Sequence, residues 1–330
     1  MYRVTPPWEG RSRHFTKEFE AFALTLMREM PVKKAGDILG ETDTRMWRVL
    51  PAHDDKACAA LSMENVTRVG VDEMSRRKGH NYRRVSADLD AQRVLFATEG
   101  RDAITWDRFR EALLAHNGHP HAWREVAMDM SPAYRTGVQN NCRNARIVFD
   151  KFHVLAHANA AVDQVRRAEV RLAEGPARQQ LKRTRWLWLK NPTNLTPKDW
   201  ERFGRIDQSA LGTAKAYQMR LALQSIYGAR TARKAAERLA QWCAWVKRQA
   251  AKTRYALLGA MVKVAQMIEK HAVGILAHWD HGTTNAYREG LISVFCAVKR
   301  RARGYRSSQN LIAMLYFVVG KLPAPMAAIH

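Results

Sequence analysis

Cysteine is scarce and scattered in this chain. Cys58, Cys142, Cys243 and Cys296 are the four in 330 residues, and no two of them form a CxxC pair. Neither a zinc ribbon nor a disulfide framework is therefore written into the sequence, and reduced cytoplasmic thiols fit this usage. The opening stretch, Met1-Tyr-Arg-Val-Thr-Pro-Pro-Trp, lacks an apolar run of signal-peptide length. No run of roughly 18 apolar residues exists, which excludes a spanning helix. No helix sets a purely basic face against a wide apolar one, which argues against a membrane surface. A glycine-rich phosphate-cradling loop is also missing, so ATP is not expected. There is no internal repeat and no low-complexity segment. Acidic residues are in deficit, 31 against 55 lysines and arginines, for a formal net charge of +24.

Such an excess favours a polyanionic partner, because each neutralised phosphate releases condensed counterions. Nucleic acid is the preferred polyanion; the competing reading is a charge that only serves solubility. With 46% hydrophobic residues over 330 positions, the chain has material for about two or three domains and a sizeable core.

Helical periodicity opens the pattern. Phe15, Phe19, Phe22, Leu26 and Met30 recur at helical spacing, with Thr16 as the expected N-cap and Pro31 as the stop. Two short helices follow, Val32 to Leu39 and Thr42 to Leu50, joined at Gly40-Glu41. Ala35, Leu39, Met46 and Val49 face inward and small Gly36 precedes the turn, which is helix-turn-helix spacing. Glu41 occupies a position that is usually hydrophobic. Arg45, Trp47 and Arg48 on the second helix are the candidates to enter a DNA groove; an ordinary helical hairpin is the alternative.

Strand signals begin at Val66. The runs Val66 to Val71, Tyr82 to Leu89 and Arg93 to Thr98 read as an antiparallel meander, the first ending at Asp72-Glu73. A helix from Thr105 to His116, a strand from Trp123 to Met128 ending in Asp129, a helix from Pro132 to Asn141 and a strand from Ala145 to Phe149 ending in Asp150 follow. This is the order of an α/β, RNase H-like mixed sheet core. After Asp150 the chain reads as helical to about Leu276, an all-α insertion, broken at Pro192 to Pro197. Closing helices span about Thr284 to Arg303 and Asn310 to Val319. The expected domains are a helix-turn-helix region over 1–60, the strands of the core over 61–150, the insertion over 151–280, and helices over 281–330 that complete the core.

Phosphodiester transfer needs two divalent cations roughly 3.5 to 4 Å apart, held by hard oxygen ligands with open positions. Asp72 and Asp129 end strands that are neighbours in this topology, and both can face one magnesium or manganese pair. A third carboxylate should come from a helix, and Glu289 is the natural candidate. Lys299, Arg300, Arg301 and Arg303 lie further along that helix, where they can grip DNA phosphates. A single acid after a strand is more commonly a turn former or N-cap; the combination is what carries the reading. Asp150 and His153 are candidates to steady the metal ligands from behind, with a helix cap and a packed histidine as the alternative. Trp186, Trp188, Trp242 and Trp245 offer faces for an unpaired base, with core packing favoured.

Several stretches then become familiar. Gly70-Val-Asp-Glu-Met-Ser-Arg-Arg-Lys-Gly-His-Asn-Tyr, Val126-Ala-Met-Asp-Met-Ser-Pro-Ala-Tyr and Ile147-Val-Phe-Asp-Lys-Phe-His-Val resemble the insertion-sequence transposases of the ISL-three group. So do Leu181-Lys-Arg-Thr-Arg-Trp-Leu-Trp-Leu-Lys-Asn-Pro, the stretch from Asn285 to Leu291, and Lys299-Arg-Arg-Ala-Arg-Gly-Tyr-Arg. The resemblance runs from about Pro7 to Leu322. It implies a DDE triad that maps to Asp72, Asp129 and Glu289, with Asn285 beside the glutamate as a further steadying residue. It also implies a helical insertion between the second aspartate and the glutamate, and a helix-turn-helix that recognises terminal inverted repeats. The implied protein cleaves element ends and joins the freed 3′-hydroxyl to target DNA, as a homo-oligomer expected to be a dimer, in the cytoplasm at the nucleoid. A same-fold nuclease or resolvase, or an inactive remnant that only binds repeats, are the rivals. Two departures stand out. Family members open with a cysteine-rich zinc ribbon that is absent before Tyr2 to Trp8, and Ile292 replaces the usual asparagine after Glu289-Gly290-Leu291, implying a weakened contact behind the glutamate.

Overall fold

The computed structural model describes residues 10, 15–59, 61–77, 79–100, 103–206, 211–280, 297, 305 and 307–320. Two compact units emerge: Met1–Ala145 together with Thr283–His330, and Arg146–Gly282. Among the described residues, no helix is long and apolar enough to cross a membrane.

Helices α1 (Lys17–Glu29), α2 (Val32–Leu39) and α3 (Asp43–Ala59) open the first unit. The Thr16 hydroxyl accepts the Phe19 N–H at 3.2 Å, the expected cap. The buried face of α1 is different from the expected one. It consists of Glu20, Ala21, Ala23, Leu24 and Met27, while Phe22 stays 53% exposed. Two alanines on that face let α1 approach α2 and α3 closely, and large phenylalanines there would hold them apart. Between α2 and α3, Gly40 adopts φ 69° and its N–H reaches the Gly36 carbonyl, a left-handed cap that favours glycine. A Cβ on Gly36 would stand 2.6 Å from the Glu41 carbonyl oxygen. Helix α3 continues through Pro51 to Ala59, past the expected end at Leu50. Its apolar face overrides the proline signal: Val49 and Leu50 are buried, and His53 meets Phe317 of the closing helix (Ser308–Val319) edge to face at 5.8 Å.

Strands β1 (Arg68–Arg77), β2 (Gly79–Asp88), β3 (Arg93–Glu99) and β4 (Glu125–Met128) belong to the same unit and lie in the order β3-β2-β1-β4. β1 to β3 form the expected antiparallel meander, and β4 adds to β1 in parallel, making a mixed α/β arrangement. Parallel neighbours need a long crossover, supplied here by β2, β3 and α4 (Ala103–Ala115). One sheet face is aromatic. Phe96 stacks on Phe109 of α4 at 5.4 Å, and Phe109 packs on Trp123 at 5.4 Å. Fully buried Arg84 lies on that face, its guanidinium 5.3 Å from the Trp106 ring and 4.3 Å from the Tyr134 ring of α5 (Pro132–Asn141). Cation–π attraction offsets part of the cost of burying that charge. At the edge strand β3, the Ala97 N–H donates to the Tyr316 hydroxyl at 3.0 Å, which covers a backbone donor that would otherwise invite another strand.

In the second unit, the elements described after β5 (Arg146–Phe149) are all helices: α6 (Lys151–Leu172), α7 (Gly175–Leu181), α8 (Arg185–Leu189), α9 (Pro197–Gly204), α10 (Gly212–Ile226), α11 (Ala232–Ala250), α12 (Gly259–Lys270) and α13 (Ala272–Asp280), with 3-10 turns at Pro192–Asn194 and Thr253–Leu258. α6 is central, burying Val154, Ala158, Ala161, Val162 and Val165 at helical spacing against α10 and α12. α13 lies on β5, where Gly274 lets Phe149 approach: a Cβ there would stand 2.6 Å from the ring. Helix α10 has no side-chain cap of its own. Glu169 on α6 serves instead, accepting Gly212 N–H at 2.8 Å, Thr213 N–H at 2.9 Å and the Thr213 hydroxyl.

Two outcomes are expected. Glu169→Ala should destabilise the second unit by about 2 kcal/mol, because it strands two backbone donors, and Glu169→Gln should cost less; urea unfolding measures both. Burial pushes the Cys142 thiol up to about 12 and the Cys243 thiol up to about 11. Both should resist iodoacetamide at about pH 8 in the folded protein and react after denaturation, as peptide mapping reads. Because these thiols stay protonated where those of the unfolded chain ionise, their contribution to stability falls as pH rises from 9.0 towards about 12.

Candidate active site

The position of the first aspartate follows from backbone pairing. Asp72 was expected to end its strand, but β1 continues to Arg77 and pairs Asp72 with Val85 of β2. The hairpin with β2 keeps this part of β1 extended after β4 has stopped. Along β4 the parallel partners are Arg68 with Glu125, Val69 with Val126 and Gly70 with Ala127. The same step carried two residues on sets position 72 level with position 129, immediately beyond the last residue of β4, Met128. The carboxyl ends of parallel strands are where α/β sheets bind ligands.

The opposite end of β1 is pinned by charge and turn chemistry. The Arg68 guanidinium donates to Asp90 Oδ1 through Nε at 2.7 Å. Asp88 Oδ1 accepts the N–H groups of Asp90 and Ala91, each at 3.0 Å. Gly70 permits Leu89 to lie on the strand, since a Cβ would come 2.8 Å from Leu89 Cδ2. These contacts fix the register of β1 on β2, and on the β4 side the Thr67 carbonyl accepts the Arg124 N–H at 2.7 Å.

Asp129 is half-buried, and its Oδ1 accepts the Ser131 N–H at 2.9 Å ahead of Pro132, the first residue of α5. It thus forms the turn that sequence reasoning offered as the alternative, and this is its one hydrogen bond among the described residues. Among the described residues, the second carboxylate oxygen accepts no hydrogen bond. Magnesium and manganese select hard oxygen donors, and this carboxylate fits that demand. Among the described residues, no three His, Cys, Asp or Glu side chains come together as a metal site. The side chain of Asp72 and the residues Asn285, Glu289, Ile292, Lys299, Arg300, Arg301 and Arg303 lie outside the described part.

On α3, Arg48 is exposed and Trp47 half-buried, edge-on to Tyr305 at 5.9 Å. Arg45 pairs with Glu41 at 2.7 Å and lies over the Phe15 ring at 4.8 Å. That pairing explains why an acid is tolerated at position 41. In the second unit, buried Asp150 caps α6 by accepting the Phe152 N–H at 2.9 Å. Burial, and secondarily the Asp150 charge, raise the Tyr227 phenol well above its ordinary range. His153 is half-buried in the first turn of α6. The four tryptophans divide. Trp188 and Trp242 are core residues, with indole N–H bonds to Thr184 Oγ1 at 3.2 Å and the Met219 carbonyl at 2.8 Å. Trp245 is half-buried and Trp186 is 64% exposed. Sequence reasoning missed buried Arg84; an arginine among the alternating residues of β2 was the available signal.

A helix-turn-helix beside a mixed sheet, with two aspartate positions level at the sheet's parallel edge, is the frame of a DNA-acting protein. The comparisons specify which one. Residues 69–315 match a family model described as a transposase of the DDE class, ISL3 type, and residues 4–53 match the helix-turn-helix domain of transposase family ISL3. The chain belongs to the ISL3 group of insertion-sequence transposases. It is 32% identical to the transposase for insertion sequence element IS1001 of Bordetella parapertussis, over 73% of this chain and 58% of that relative. It is 27% identical to the transposase for insertion sequence element IS1557 of Mycobacterium tuberculosis, over 94% of this chain and 73% of that relative.

Substitution at position 129 tests what its turn contact contributes. Asp129→Asn keeps an oxygen for the Ser131 N–H and should leave thermal unfolding unchanged, whereas Asp129→Ala strands that donor and should cost about 1 kcal/mol. Scanning calorimetry checks both.

Proposed function

We propose that this chain is a DNA transposase with an RNase H-like core, which cleaves the ends of its element and joins the freed 3′-hydroxyls to target DNA. The observation that carries the reading is the register of β1 on β4, which sets Asp72 level with Asp129 at the end of the parallel pair. Glu289 would complete the triad, and the helical second unit between Asp129 and Glu289 would be the insertion of that fold. In domain terms, residues 1–60 would read DNA, 61–150 and 281–330 would build the core, and 151–280 would form the insertion.

The acids have distinct duties. Asp129, held by the Ser131 N–H, presents a carboxylate whose direction is fixed before DNA arrives. Asp72, on a strand clamped by β2, gains the same rigidity from backbone pairing. When bound, a pair of magnesium or manganese ions would activate the attacking oxygen and neutralise charge on the leaving one. Exposed Arg48 would enter the groove, with Arg45 and Trp47 shaping the helix that carries it. Lys299, Arg300, Arg301 and Arg303 would hold phosphates near Glu289. Asp150, His153 and Asn285 would act only through neighbouring groups. Terminal inverted repeats and target DNA are the partners, and pairing of two ends calls for at least two protomers.

The test uses the full chain with a plasmid carrying the element's inverted repeats. With magnesium, nicking at the repeat ends and strand transfer are expected. Asp72→Ala and Glu289→Ala should abolish both while retaining end binding within about twofold. Cleavage without joining would indicate a nuclease or resolvase; a gel shift without any product would indicate a DNA-binding remnant.

A further inference from the structure

The segment joining α7 to α8 carries a charge pattern unlike its surroundings. From Arg178 to Lys190 it holds Arg178, Lys182, Arg183, Arg185 and Lys190 and no acidic residue. Its side chains sort sharply by burial. Leu181, Thr184, Leu187 and Trp188 are buried, whereas Lys182, Arg183, Arg185 and Trp186 are exposed.

The buried set is a rigid mount. The Thr184 hydroxyl donates to the Leu181 carbonyl at 2.6 Å and accepts the Trp188 indole N–H at 3.2 Å. Trp188 then packs on Phe203 at 4.6 Å and on Tyr217 at 5.8 Å. Arg183 holds φ 58°, a left-handed conformation that is costly for a non-glycine residue and is often kept where function needs it. On the outer side, the Arg185 guanidinium lies over the Trp186 ring at 5.1 Å. Asp163 steadies Arg185 from α6, Oδ2 to Nε at 3.7 Å.

The Trp186 indole is 64% exposed, so its ring can be reached from solvent by a flat π-system. The charge around it selects the occupant. A base presents a flat π-face for the indole, and its flanking phosphates suit three exposed cations, which is how proteins hold unpaired nucleotides. A paired base in a duplex cannot offer that face. We propose that Trp186, with Lys182, Arg183 and Arg185, forms a binding site for an unpaired DNA base, reached when the duplex is distorted or opened. This deepens the transposase reading and rests on DNA being the substrate, but it requires no cleavage.

The experiment compares a short fluorescein-labelled duplex carrying one unpaired thymine with the same duplex fully paired, by anisotropy titration of the full-length protein without divalent metal. The wild type should prefer the unpaired-base probe, and Trp186→Ala should weaken binding of that probe by about tenfold, the scale of one base stacked on an aromatic ring. Binding of the paired duplex should change by less than about twofold. Trp186→Phe, which keeps a ring, should restore most of the preference, and near-ultraviolet circular dichroism checks that both variants fold. Asp129→Asn serves as the control that separates the two readings: preserved preference with lost nicking supports both. Preference for the unpaired base in a wild-type protein that never nicks would remove the transposase mechanism and leave this site standing. If Trp186→Ala retains the wild-type preference, or the wild type binds both probes equally, the site is wrong.

Discussion

Parallel pairing of β1 with β4 is the constraint from which the rest of the first unit follows. Side chains along a strand alternate between faces, so a slip of one residue would turn every one of them to the wrong side. On the other side of β1, several unrelated contacts hold the strand against β2 in the same way. The Arg68–Asp90 pair and the Asp88 turn fix one end of β1, Leu89 rests where Gly70 has no side chain, and β2 pairs β1 beyond the point where β4 ends. Consequently position 72 is set by backbone pairing, and Asp129, one residue past β4, is held by its turn bond to the Ser131 N–H.

The aromatic face of the sheet contributes to the same end. Arg84 lies between Trp106 and Tyr134, from α4 and α5, the helices that precede and follow β4 in the chain. Gly137 of α5 makes room for Trp106, since a Cβ there would come 2.3 Å from its indole nitrogen. Changing any of these residues would shift α5, and α5 begins three residues after Asp129. Core packing and site geometry are therefore one problem in this unit.

The net charge of +24 is not spread evenly over purposes. Part of it is structural: Arg45 is held by Glu41, Arg166 and Arg167 by Asp163, and Arg220 is buried with its Nε on Asn159 Oδ1 at 2.9 Å. Burial lowers the pKa of that guanidinium, a cost the helical bundle absorbs. Arg185 is shared between Asp163 and the Trp186 ring, and Lys182 and Arg183 lie on the surface beside it, where screening by salt governs what they can attract.

The sequence by itself determined the order of helices and strands, the Thr16 cap, the glycine turn before α3 and the words that mark the family. These depend on neighbours a few residues apart, which a linear reading sees. Tertiary structure alone decided which face of α1 is buried, that β1 runs through Asp72, that α3 survives Pro51, that Glu169 caps a helix beginning at Gly212, and that Trp186 faces solvent while Trp188 does not. Each of these turns on a partner distant in the chain. Close packing and hydrogen-bond satisfaction reward contacts between residues that local propensity cannot bring together, and so they override it where the two conflict.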